Sequence, residues 1–280
     1  MFENYLATKE DLESVEEALK YVWDPKMNFV FKDKSKIKNV ITISYDSKFI
    51  YVWSPKKHGR YNLQKIPKKL KLKDELQDFW ASGIISEKIQ KPLPNRLQGK
   101  NRFTNPKISG GLLTPFIKLQ KKRNRKYNPY VTKESYLATI IHEFGHVYWD
   151  AHKLWWFSNK QKNLGYLKTA LKLYKGQKFS IPEISFPTSA GISEIYAFCT
   201  EYYASDMFWP KHKKNLDKYA LNILTSLLKE EKKKDLDFED SIIEPLKNPH
   251  NSSFVFGKIL FQKYPSTWPN LLTNKLQKQI

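Results

Sequence analysis

From Ser135 to Phe157 no proline and no glycine pair interrupts the chain, and Leu137, Ile140, Ile141, Phe144 and Tyr148 recur at helical spacing. A run of that length and period predicts a long helix with a buried stripe. Thr132 is its expected N-cap, with Glu134 supplying an acidic side chain to the first turn. Inside this run stand His142-Glu143-Phe144-Gly145-His146. Two histidines four apart on a helix project from one face, one above the other. Both imidazoles can then reach a single Zn²⁺ at about 2.0–2.1 Å. Glu143 adjoins the first histidine, beside the position such an ion leaves open. There a carboxylate can take a proton from water and later pass it to a leaving amine. The pattern fixes only three residue identities, so the helix around it is what separates a metal site from two surface histidines.

A catalytic zinc takes three protein ligands, and the motif supplies two. His152 is the nearest candidate for the third. The spacing of His142, His146 and His152 resembles the metzincin signature, and the string from His142 to His146 is similar to that of the matrix metalloproteinases. In that pattern a glycine lets the helix end in a left-handed turn. Here the position holds Trp149, which does not enter that backbone region freely. A helix that continues instead turns His152 about 120° away from His146.

A carboxylate on a second helix is the other solution. Gly191 through Asp206 has a strong helical pattern, with Ser189 or Ser193 available to cap its start. Glu194 and Glu201 are seven apart and face the same way along it. Either can serve as the ligand.

These residues carry a family resemblance. Ile192-Ser193-Glu194-Ile195-Tyr196-Ala197, with Glu201 seven residues after Glu194, resembles the glutamate-ligand helix of the aminopeptidase N type, and Gly191-Ile192-Ser193-Glu194 is similar to the thermolysin segment. The resemblance implies a gluzincin: a zinc metallopeptidase with His142, His146 and Glu194 as ligands and Glu143 as catalytic base. Ser193 and Ile195 stand where the aminopeptidases have asparagine and glycine, so exopeptidase specificity is not implied. Glu201-Tyr202-Tyr203-Ala204 resembles the ligand segment of the anthrax lethal factor type, which would make Glu201 the ligand. Phe254-Val255-Phe256-Gly257-Lys258-Ile259-Leu260, then Lys263-Tyr264-Pro265, is similar to the late helix of gluzincins. There a tyrosine stabilises the tetrahedral intermediate; this chain has Phe254, whose phenyl ring donates no hydrogen bond. His250, Tyr264 or another tyrosine would have to do so. The resemblance spans roughly residues 108–265, with its specific motifs confined to the metal helices.

The chain of 33.2 kDa, 40% hydrophobic and 15% aromatic, can bury a substantial core. Its one cysteine, Cys199, excludes an internal disulfide and suits a reducing compartment, and it is expected to pack as a small hydrophobe. No charged leader precedes an apolar run and no stretch approaches about 18 apolar residues, so no membrane span and a cytoplasmic location are expected. Lysine and arginine number 49 against 28 acidic residues, a net charge of +21, with clusters at Lys65–Lys73, Lys118–Lys126 and Lys211–Lys214. Such a field attracts polyanions. Only five of the 49 are arginine, the residue favoured for bidentate phosphate and base contacts, so a peptide or protein substrate is the expected partner ahead of nucleic acid.

Residues 9–22 suit an amphipathic helix, and Val40–Ser44 with Phe49–Trp53 read as a hairpin. Residues 54–72 are broken by Pro55, Gly59 and Pro67; Asp74 to Trp80 predicts a short helix; and Gly110 to Ile117 predicts an edge strand before the metal helix. No repeat or low-complexity linker occurs. The expected fold is α+β and zincin-like. A small sheet-bearing N-terminal lobe (1–107) precedes a catalytic region (108–280) that is mainly helical after residue 131.

Overall fold

The structure, a computed structural model, describes residues 4–56, 59–67, 80–82, 107–123, 127–152, 189–231 and 249–273. The chain divides into two compact units, Met1–Ala151 and His152–Ile280. The fold is α+β: among the described residues all strands lie in the first unit, and the elements of the second are helices.

Helix α1 (Lys9–Trp23) begins where Thr8 accepts from the Asp11 backbone N–H. Two 3₁₀ turns (Pro25–Phe29 and Lys34–Lys36) lead to strands β1 (Ile41–Tyr45) and β2 (Phe49–Pro55), the expected hairpin. Strand β3 (Tyr61–Pro67) follows, then the two-residue β4 (Ala81–Ser82) and β5 (Lys107–Gly111). These form one sheet in the order β3-β2-β1-β5-β4, with β1 and β5 parallel and the other pairs antiparallel. Period-2 alternation puts Ile41, Ile43, Tyr45, Ile50, Val52 and Ile66 into one apolar cluster.

Two expectations fail here. The stretch 54–72, read as broken, contains β3, whose half-exposed residues carry no alternating apolar signal; its register comes from β2, with Ile50 opposite Ile66 and Trp53 opposite Leu63. Gly110–Ile117 is not an edge strand. Strand β5 ends at Gly111 and lies between β1 and β4, and helix α2 (Leu113–Lys122) follows. Pro115 sits in the first turn of α2, where a missing N–H costs nothing. The division expected at 107/108 falls inside β5, which pairs with β1 through Ile41 opposite Lys107 and Thr42 opposite Ile108. The short helix expected at Asp74–Trp80 lies, except for Trp80, outside the described residues.

The α2 start has no local side-chain cap. Its Thr114 N–H donates instead to Asp11 Oδ1 (2.9 Å). Asp11 Oδ2 also accepts from the Thr8 N–H (2.9 Å), the Thr8 hydroxyl (2.8 Å) and the Tyr5 hydroxyl. One buried carboxylate thereby ties the N-terminal segment, α1 and the β5–α2 junction together. Burial pushes the Asp11 carboxyl up, but the hydrogen bonds from Tyr5, Thr8 and Thr114 outweigh it, and its pKa lies below the ordinary value. A depressed carboxylate contributes stability that is present above the unfolded pKa, about 3.9, and is lost as pH falls through the folded value. Asp11→Asn is therefore expected to lower the unfolding free energy at neutral pH by about 2–4 kcal/mol, given the charge-assisted bonds it removes. Denaturant titration checks this, and the deficit should shrink below about pH 4.

In the second unit, α4 (Ser189–Phe208) and α5 (Pro210–Glu231) are joined at Trp209; α6 (Pro249–Lys263) and α7 (Trp268–Thr273) follow. Helices α4 and α6 pack closely at Gly257. A Cβ there would stand 3.1 Å from Phe198 Cβ and 3.3 Å from the Ile195 carbonyl, tighter than ordinary contact. Cys199 fills the same contact. Its thiol donates to the Gly257 carbonyl (3.3 Å), and burial pushes its pKa well up, as suits a packing residue. No helix among the described residues is long and apolar enough to cross a membrane.

Candidate metal centre

Helix α3 (Lys133–Asp150) carries the motif. Thr132 caps it as expected: its hydroxyl accepts from the Ser135 N–H (3.2 Å), while the Ser135 hydroxyl accepts from the Thr132 N–H (3.1 Å). From Ser135 to Trp149 every side chain except Thr139 is buried. Polar groups on such a helix are held where they stand by packing rather than by water.

The helix is fixed to the first unit at both ends. Near its start, the Tyr136 hydroxyl donates to the Gly111 carbonyl of β5 (3.1 Å), and its ring meets Trp80 and Phe116 edge-on. The strand comes this close because Gly110 lacks a side chain: a Cβ there would lie 2.7 Å from the Trp80 backbone and ring. At the other end, the Tyr148 hydroxyl accepts from the Asp33 N–H (3.3 Å), and Lys36 Nζ donates to the Ala151 carbonyl (3.3 Å). A cation at a helix C-terminus also complements its dipole.

His142 and His146 lie on successive turns of this frame with ring centroids 4.9 Å apart and planes at 73°. Both are buried, as is Glu143 between them. The helix passes through Trp149, itself buried, so the left-handed turn a metzincin requires there does not form. It then stops at Asp150 rather than continuing to Phe157; beyond His152 the expected run lies outside the described residues.

In the second unit, Glu194 lies in the second turn of α4 and is half-buried. Ser189 is the first residue of that helix and Ser193 lies within it. Glu201, two turns on, is buried beside a residue that sequence reasoning missed: its Oε1 lies 3.9 Å from His212 Nε2 of α5, both side chains 2% exposed or less. The signal was present, since His212, Leu216 and Ala220 recur at helical spacing and all three are buried.

Among the described residues one group of three or more histidine, cysteine, aspartate and glutamate side chains can hold a metal ion. It consists of His142, His146 and Glu194, with donor atoms within 4.8 Å of one another. Two imidazole nitrogens and a carboxylate oxygen are a donor set that zinc accepts, and three protein ligands leave a fourth position open. His152 and Glu201 are not in the group.

Phe254 of α6 packs edge-on against Phe198 and Tyr219 and obliquely against Tyr202. It is a core residue of the helical unit. Tyr264 is half-buried, and the His250 side chain lies outside the described residues.

No protein-family profile, curated protein or solved structure matches this chain.

Proposed function

We propose that the chain is a zinc-dependent peptidase of zincin architecture and gluzincin type, hydrolysing peptide bonds in a peptide or protein substrate. The observation that carries this reading is the grouping of His142, His146 and Glu194 together with Glu143, the residue after the first histidine. Zinc held by those three residues supplies Lewis-acid polarisation of a carbonyl and acidifies water. Each of the chain's own residues then has a distinct part. His142 and His146 are presented on successive turns of a helix that Tyr136, Tyr148 and Lys36 tie down towards its ends. Glu143 is the acid–base group, taking the proton of the attacking water and delivering it to the leaving amine. Its burial limits competition from bulk water.

The reading is tested by metal removal. Hydrolysis of an unstructured protein should cease after chelation and return on addition of one equivalent of zinc. Hydrolysis that continues at the original rate in metal-free protein would refute it.

A further inference from the structure

We propose that the outer edge of β3 is a docking surface for an extended acidic peptide segment, which joins the sheet as a further strand. This inference is independent of the peptidase reading, because β3 lies at the opposite end of the sheet from β5 and β4, and β5 is the strand that Tyr136 of the motif helix touches. Among the described residues β3 has a strand on one side only, so alternate residues of its seven turn their N–H and C=O groups outward. The other edge, β4, is two residues long and offers little ladder. The β3 edge is also held in place before any partner arrives. All seven residues pair with β2, from Tyr61 opposite Pro55 to Pro67 opposite Phe49. At its start Trp23 Nε1 donates to the Tyr61 hydroxyl (2.9 Å). Gly59, at φ 68°, turns the chain against the Trp23 ring, where a Cβ would stand 2.6 Å away. An incoming strand therefore meets a template whose ordering cost is already met by the fold.

Side chains select the occupant. Asn62, Leu63, Lys65 and Pro67 are exposed, and Leu63 and Lys65, two apart, share one face of the strand. Lys65 Nζ lies 3.7 Å from the centroid of the Phe49 ring and 5.9 Å from that of Tyr51, with no carboxylate partner among the described residues. In sequence, Ser47 to Lys73 holds nine lysine and arginine residues and no acid. A segment that sets a carboxylate across from Lys65 and an apolar side chain across from Leu63 complements both the charge and the exposed surface, while its backbone completes the ladder. A second copy of β3 fits less well, since it would set this acid-free stretch against itself. Nucleic acid answers the charge but brings no alternating N–H and C=O groups to the edge.

The test uses the full chain and a labelled seven-residue peptide alternating glutamate and valine, the length of β3. Its binding is followed by fluorescence anisotropy at about 150 mM salt, where exposed charges more than about 8 Å apart are screened. The same peptide N-methylated along its backbone keeps every carboxylate but cannot donate to a ladder, and it should bind about tenfold or more weakly. Lys65→Glu should weaken the unmodified peptide by about tenfold, because a cross-strand attraction becomes a repulsion. Lys38→Glu, the same change at an exposed lysine before β1, should leave binding within about twofold, as expected of a screened charge away from the edge. Circular dichroism checks that both variants are folded, and the N-methylated peptide tests the ladder on unaltered protein. The proposal is overturned if the unmodified peptide does not bind or if the N-methylated peptide binds equally well. It is also overturned if the two lysine variants lose affinity alike. Displacement of the peptide by a short DNA duplex at equal charge concentration would overturn it in favour of general attraction to polyanions. A dimer in sedimentation that the peptide dissociates would assign the edge to a second copy instead.

Discussion

Glu143→Gln should abolish most peptide hydrolysis while leaving the metal in place. The amide occupies the space of the carboxylate and keeps one acceptor oxygen, so the buried turn of α3 is not disturbed. It cannot accept the proton of the attacking water, and a positioned acid–base group is worth about 10²–10⁴ in rate. The expected result is a fall of at least about 10²-fold in kcat/KM, with zinc content and thermal midpoint unchanged. The split matters more than the loss. A variant that loses metal and activity together would make Glu143 a ligand or a structural residue, and one that cleaves at the wild-type rate would remove it from the mechanism.

The second large effect separates the candidate ligands. His142→Ala and Glu194→Ala each remove one of the three grouped donors, and both should lose zinc on dialysis against a weak chelator. Glu201→Ala should behave differently. It takes the carboxylate away from buried His212, so its main effect should be a lower thermal midpoint. Its effect on zinc affinity should stay within the roughly 10–100-fold of groups that act through a ligand. His152→Ala should leave zinc affinity unchanged. If Glu201→Ala strips the metal while Glu194→Ala retains it, the lethal-factor-like assignment is the correct one. If His152 is essential, the ligand set is metzincin-like despite Trp149.

Elements with a local signature were legible in the sequence. Helix α1 has its capping box and amphipathic period, the β1–β2 hairpin its alternation, and α3 both a cap and a continuous stripe. The failures occur where the determining partner is distant. Leu113-Thr114-Pro115-Phe116-Ile117 is as apolar as a strand, and what makes it a helix start is the acceptor offered by Asp11, 103 residues away in sequence. Strand β3 exists because β2 offers it an edge, and its own residues, Asn62 and Lys65 among them, carry little β signal. The same limit applies to the site. His142, Glu143 and His146 belong to one helix, so their relation follows from helical geometry alone. Glu194 and Glu201 lie seven apart on one face, and periodicity cannot separate them. Their surroundings differ: Glu201 is buried against His212, whereas Glu194 is grouped with the histidine pair.

The most direct measurement is X-ray absorption at the zinc edge of the metal-loaded chain, combined with metal stoichiometry. The account predicts one zinc per chain, with a first shell of two imidazole nitrogens and oxygen donors at about 2.0–2.2 Å. In Glu194→Ala the two-imidazole signature should disappear with the metal. A shell of three imidazoles, a sulfur ligand at about 2.3 Å, or no zinc uptake by the folded protein would contradict the account.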